Sequence, residues 1–177
     1  MINRIAQVSI YLLTRAVTVY YPGDHKPVGA GPGHPAPAIR EPAVEVVFVL
    51  DTTGSMGGVL STARDKIWSI ASTLASAQPS PDLRIGLVAY RDRGEEYVTR
   101  VTDLTRDIDT VFAELLKLQA AGGGDHPEDV QQALYGAVHD LSWSRSPGDY
   151  RSIFLIGDAP GHSGPDGDVE QILRTAV

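Results

Sequence analysis

A chain of 177 residues, 42% of them hydrophobic, is long enough for one domain with a sizeable core. Its formal net charge of −7 argues against a protein that lives on nucleic acid or anionic lipid. The chain has no cysteine, which excludes a disulfide framework, a thiolate metal site and a cysteine nucleophile, and leaves the compartment open.

The amino-terminal stretch 1–21 has two readings. Ile5 to Leu13 is an apolar run behind Arg4, faintly like a signal peptide, but Gln7 and Ser9 interrupt it and no small-residue cleavage site follows. The other reading is a β-rich segment carrying Val8, Ile10, Val17, Val19, Tyr20 and Tyr21. The run is too short to span a bilayer. Residues 22–42 are dense in Pro and Gly and read as a linker. Gly29, Gly31 and Gly33 mimic a phosphate loop only in spacing, because no helix pattern follows them.

From residue 43 the pattern becomes regular, and 43–177 is expected to form the folded domain. An apolar strand over 44–50 ends in Asp51, with Thr53 and Ser55 at the following alternate positions. A helix is expected from about Gly57 to Gln78, with Leu60, Ala63, Ile67, Ile70, Ala71 and Leu74 on one face. Strands over 83–90 and 96–104 follow, then a helix from Asp107 to Ala121. The loop Gly122-Gly123-Gly124-Asp125-His126-Pro127 opens another helix from about Glu128 to Leu141, with Pro127 where a first-turn proline is tolerated. The last clear strand, 152–157, ends in Asp158. Strands alternating with helices predict an α/β fold: a doubly wound, mostly parallel sheet with helices on both faces.

Asp51 and Asp158 each end an apolar strand, and Glu128 begins a helix after a glycine-rich turn. Singly, each has an ordinary reading as a turn or cap residue or as an offset to the helix dipole. Together they differ, because neighbouring parallel strands bring their carboxyl ends to one edge, where such sheets bind ligands. Gathered carboxylates repel unless a cation lies among them. Asp, Thr and Ser supply the hard oxygen donors that Mg²⁺ and Ca²⁺ take.

The run Asp51-x-Thr53-x-Ser55, the glycine-rich loop to Glu128, and Asp158 resemble the metal-ion-dependent adhesion site of von Willebrand factor A domains, over about residues 43–162. The resemblance implies a Rossmann-like fold and a metal site of Asp51, Thr53, Ser55, Glu128 and Asp158, the last through water. Thr53 replaces the more frequent Ser and keeps the oxygen donor. The second loop, Asp125-His126-Pro127-Glu128, is similar to the integrin β-subunit form, in which the Glu is the ligand. That form implies a second, Ca²⁺ site built from Asp92, Asp125, Pro127 and Glu128, although Gly123 stands where the family has an Asn. Gly57 and Gly58 occupy the positions of a third integrin site, which is therefore expected to be missing. His126 and His162 read as loop residues rather than ligands.

What the resemblance implies is a binding module, not an enzyme: Mg²⁺ or Mn²⁺ with one open position that captures an Asp or Glu of a partner protein. No nucleophile, base and substrate pocket stand out as a catalytic set. A metal-dependent phosphoester hydrolase is the first alternative, but it would require a second Asp where Thr53 stands. A structural remnant without ligand binding is the second. The Asp-Thr-Thr-Gly-Ser-Met form is similar to bacterial-type, exported relatives, which implies a periplasmic or extracellular location. Family domains continue beyond the third metal loop, so the fold is expected to lack its last strands. The strand ending at Asp158 would then be an open edge, unless a partner or the 5–21 segment covers it.

Overall fold

The structure is a computed structural model that describes residues 9–12, 42–123, 128–146, 148–158, 161 and 172. Its strands are β1 (Ser9–Leu12), β2 (Ala43–Asp51), β3 (Asp82–Tyr90), β4 (Thr99–Thr105) and β5 (Tyr150–Gly157). They form one sheet in the order β1-β5-β2-β3-β4, parallel except for β4, which runs antiparallel to β3 at one edge. The expected α/β architecture is the one observed.

The pleat of β2 sorts the core. Val46, Phe48 and Leu50 face one layer, where they pack with Leu60, Ala63, Ile67 and Ala71 of α1 (Leu60–Ala75) and with Val111 and Leu115 of α2 (Ile108–Lys117). Val47 and Val49 face the other, against Val130, Ala133, Leu134 and Ala137 of α3 (Val130–His139). A strand covered on both faces must be apolar nearly throughout, which is why β2 does not alternate in sequence.

Several boundaries differ from expectation, each for a local reason. The first helix is preceded by a 3₁₀ turn over Gly54–Gly58 and ends at Ala75, consistent with the helix cost of Gly57 and Gly58. The strand expected over 96–104 begins at Thr99. Just before it, the Tyr97 ring is flanked by the Arg91 and Arg100 guanidinium groups at 4.5 and 4.2 Å. The helix expected to reach Ala121 stops at Lys117, and Leu118 is extended. The backbone after it bonds elsewhere: the Arg64 guanidinium donates to Leu118 O, Arg91 donates to Gln119 O, and Ala121 N donates to Thr52 O at 3.1 Å. The helix expected from Glu128 starts at Val130, capped by the Asp129 carboxylate, which accepts from Gln132 N.

The edge beyond β5 is occupied. Residues 9–12 pair in parallel with 154–157, in the register Ser9 to Phe154 and Leu12 to Gly157. The linker expected over 22–42 lies outside the described residues except for Pro42.

Candidate metal centre

Parallel register brings the acidic strand ends together. Asp51 pairs with Tyr90 across β2 and β3, and Leu50 pairs with Ile156 across β2 and β5, so Asp51 lies beside Gly157. A Cβ at Gly157 would meet Tyr90 Oη at 2.5 Å, Asp51 Cβ at 3.2 Å and Asp51 Oδ2 at 3.3 Å. The glycine therefore keeps open a small space between a phenol and a carboxylate.

Asp51 is fully buried. Its Oδ1 accepts from Thr53 N at 2.8 Å and from the Thr53 hydroxyl at 2.6 Å. Its Oδ2 is buried and has no hydrogen-bond partner among the described residues. A buried acceptor left that way is costly and calls for an explanation. Burial pushes the Asp51 carboxyl up, the two Thr53 hydrogen bonds pull it down, the Asp158 charge pushes it up again and the nearby Asp158 backbone pulls it weakly down; the net result lies above the usual carboxylate range. Tyr90 is pushed well above the ordinary phenol range by burial and by the charges of Asp51, Glu128 and Asp158, so it stays neutral beside them.

The hydroxyls extend the chain of oxygens outward. Thr53 Oγ1 lies 3.1 Å from Ser55 Oγ, and Ser55 Oγ donates to Asp158 Oδ1 at 2.9 Å. Glu128 is buried as well. A Cβ at Gly123 would lie 3.1 Å from Thr53 Cβ and 3.5 Å from Glu128 Oε1, so Gly123 adjoins both Thr53 and the Glu128 carboxylate. An isolated parallel bridge between Glu128 and Gly161 ties the second loop to the chain after β5.

Residues Asp51, Thr53, Ser55, Glu128 and Asp158 are thus gathered from three separate segments. The donor set grades from a buried floor of Asp51, Thr53 and Glu128 to an exposed rim of Ser55 and Asp158. Among the described residues no three His, Asp or Glu side chains form a cluster able to hold an ion on their own. Any cation here would therefore depend on the hydroxyls as well as the carboxylates. Of the second candidate set, Asp92 is half-buried just after β3 and Glu128 is buried, while Asp125 and Pro127 lie outside the described residues. His126 and His162 lie outside them too.

Sequence patterns gave no hint of the scaffold beneath these residues. Thr52 is buried; its hydroxyl donates to Tyr90 O at 2.9 Å and lies 2.7 Å from the Tyr97 hydroxyl. Gly54 N donates to Gly122 O at 3.1 Å, joining the first loop to the second. A Cβ at Gly54 would sit 2.5 Å from that same oxygen, so the approach requires glycine. The only legible signal was an extra hydroxyl inside the Asp-Thr-Thr run.

A sequence profile of the von Willebrand factor A domain matches residues 45–174. The mouse von Willebrand factor A domain-containing protein 7 is 37% identical over 118 residues, which is 67% of this chain and 12% of that protein. The chain thus corresponds to a small part of such relatives. In three dimensions it is similar to the pilus adhesin SpaC from Lactobacillus rhamnosus GG, with a TM-score of 0.55 and 18% identity, over 66% of this chain and 15% of that one. It is also similar to the SpRpn10 VWA domain, with a TM-score of 0.54 and 15% identity, over 69% of this chain and 63% of that one. At these identities the two structures speak to the fold alone.

Proposed function

The chain belongs to the von Willebrand factor A domain family, and on that premise we propose that it is a non-catalytic, metal-dependent module that binds an acidic residue of a partner protein. Domains of this kind commonly mediate protein–protein interaction or adhesion. The finer reading, in which Asp51, Thr53, Ser55, Glu128 and Asp158 hold Mg²⁺ or Mn²⁺, is supported most by one observation. Asp51 Oδ2 is buried without a hydrogen-bond partner among the described residues, beside a space that only a glycine leaves open. A cation bound there would supply a positive, Lewis-acidic position for a carboxylate oxygen from outside.

The chain's own groups divide the work. Asp51 and Glu128 place negative charge on the buried side, where few solvent dipoles compete. Thr53 and Ser55 add neutral oxygens, so donors increase without further repulsion among carboxylates. Tyr90, held neutral, closes the floor without adding charge. Ser55 and Asp158 form an exposed rim through which an incoming side chain has access. The Ca²⁺ set of Asp92, Asp125, Pro127 and Glu128 is retained as a second, subsidiary part of the proposal.

Titration calorimetry of the wild type and of Thr53→Val with MnCl₂ tests the reading. Val keeps the shape and removes the oxygen, so Mn²⁺ affinity should fall by at least about tenfold while the metal-free protein remains folded. Equal affinities would remove Thr53 from the site and leave the motif without its first hydroxyl donor.

A further inference from the structure

The loop joining β3 to β4, residues 91–98, touches the second loop on both sides of the stretch that leads to Glu128. Ahead of it, the buried Arg91 guanidinium donates to Gln119 O at 2.9 Å and to Thr52 O at 3.3 Å. At its start, Glu95 Oε1 accepts the Gly123 N–H. Just past Glu128, Arg93 Nε donates to Asp129 Oδ2 at 2.6 Å, and the Asp129 side chain is 3% exposed. One loop therefore grips the chain before, at the beginning of and beyond the segment that carries the buried carboxylate.

The glycines of the second loop fit this arrangement. Gly122 and Gly123 have φ of +74° and +72°, in the left-handed region that favours glycine. The Glu95 carboxylate fills the volume into which a Gly122 Cβ would project. Backbone conformation and side-chain contact thus depend on each other: the left-handed pair turns the Gly123 N–H toward Glu95, and Glu95 can lie there because residue 122 has no side chain. Nothing in the metal-binding motif calls for an acid at position 95.

We propose that Glu95 and Arg93 are positioning residues for the metal centre, fixing the two ends of the second loop so that Glu128 is presented to Thr53. The proposal rests on the metal-binding reading given above. Glu95 acts through the Gly123 amide rather than as a ligand, so a neutral acceptor of the same shape should serve equally well.

Two measurements on the full chain separate the alternatives. In EDTA, hydrogen exchange at the Gly123 amide should be slow in the wild type and in Glu95→Gln, and at least about tenfold faster in Glu95→Ala. By calorimetry, Mn²⁺ affinity should fall about tenfold in Glu95→Ala, as expected for losing one hydrogen bond, and stay within about threefold of wild type in Glu95→Gln. Arg93→Ala, which loses the ion pair to Asp129 and not the Gly123 bond, should lower Mn²⁺ affinity similarly while Gly123 exchange stays slow, with rescue by Arg93→Lys. Unchanged Gly123 exchange in Glu95→Ala would overturn the proposal. So would a Glu95→Gln variant that loses as much Mn²⁺ affinity as Glu95→Ala, since the charge would then act on the ion directly. A wild type that binds no Mn²⁺ would defeat the metal reading instead, and the exchange measurement alone would then decide whether Glu95 holds the loop.

Discussion

Gly123 and Gly58 are both glycines in or beside metal-motif loops, yet their surroundings predict opposite responses to a methyl group. Gly123 has φ +72°, and its Cβ would press on Thr53 Cβ at 3.1 Å. Gly58 has no heavy atom within 4 Å of that position. Gly123→Ala should therefore cost about 1–2 kcal/mol from the left-handed backbone alone, and should weaken metal binding by moving Thr53. Gly58→Ala should be neutral or slightly stabilising. Urea unfolding of both variants checks the contrast. The sequence made Asp51, Thr53, Ser55, Glu128 and Asp158 legible because their donor chemistry and strand-end positions form a spaced pattern. Beyond the extra hydroxyl of Thr52, it could not show the contacts of Thr52, Tyr90, Glu95 or Arg93, which join segments distant in the chain.

At the scale of the elements, strands and helices were predicted where periodicity is strong, and their ends were misplaced where tertiary contacts take over the backbone. After Lys117 the carbonyls of Leu118 and Gln119 accept from Arg64 and Arg91, and the Ala121 N–H donates to Thr52 O, so the backbone bonds outward rather than extending α2. Asp103 shows how a single acid on β4 joins two elements. Its Oδ1 accepts from Ser142 N at 2.8 Å, tying β4 to the chain after α3, and from Leu104 N at 2.7 Å. Slight burial pushes this carboxyl up, but the Ser142 and Leu104 hydrogen bonds and the Arg84 charge outweigh that and hold it below the usual 3.8. A carboxyl lowered by folding contributes stability above its unfolded value and loses that contribution as pH falls through its folded value. Wild type should accordingly lose part of its stability on acidification from about pH 5 to below the ordinary aspartate range. Asp103→Asn should be less stable than wild type at pH 6, and the difference should shrink toward pH 3. Urea midpoints at the two pH values test this, and a constant difference would contradict it.

Across the whole molecule, an ionic cluster lies at the end of the sheet opposite the candidate metal centre. Glu45 is fully buried near the start of β2. It pairs with Arg84 at 2.6 Å and lies 3.6 Å from Arg151 Nε, and it accepts from Ser144 N at 3.0 and 3.1 Å. Asp149 beside it accepts from Ala43 N at 2.8 Å. This cluster fixes the β5 approach to β2, and with it the register that delivers Asp158 next to Asp51. Glu45→Ala would remove the buried acceptor shared by the half-buried Arg84 and Arg151 and should cost about 1–3 kcal/mol, measurable by chemical denaturation. In sequence, Glu45 looked only like a break in an apolar strand, because its partners lie 39 and more residues away. The fold class was legible from the alternation of strands and helices. The pairing of 9–12 with β5 was one of the alternatives left open, since a four-residue strand carries too little pattern to declare its neighbour.

The most direct test of the central claim is thermal unfolding of the wild type and of Glu128→Ala in EDTA, Mg²⁺, Mn²⁺ and Ca²⁺. An ion that binds the folded state more tightly than the unfolded one must raise the midpoint. The account predicts a rise with Mg²⁺ or Mn²⁺ that disappears in Glu128→Ala, with both proteins unfolding cooperatively in EDTA. A cooperative wild-type transition at the same temperature under all four conditions would contradict it and leave a von Willebrand factor A fold without a working metal site.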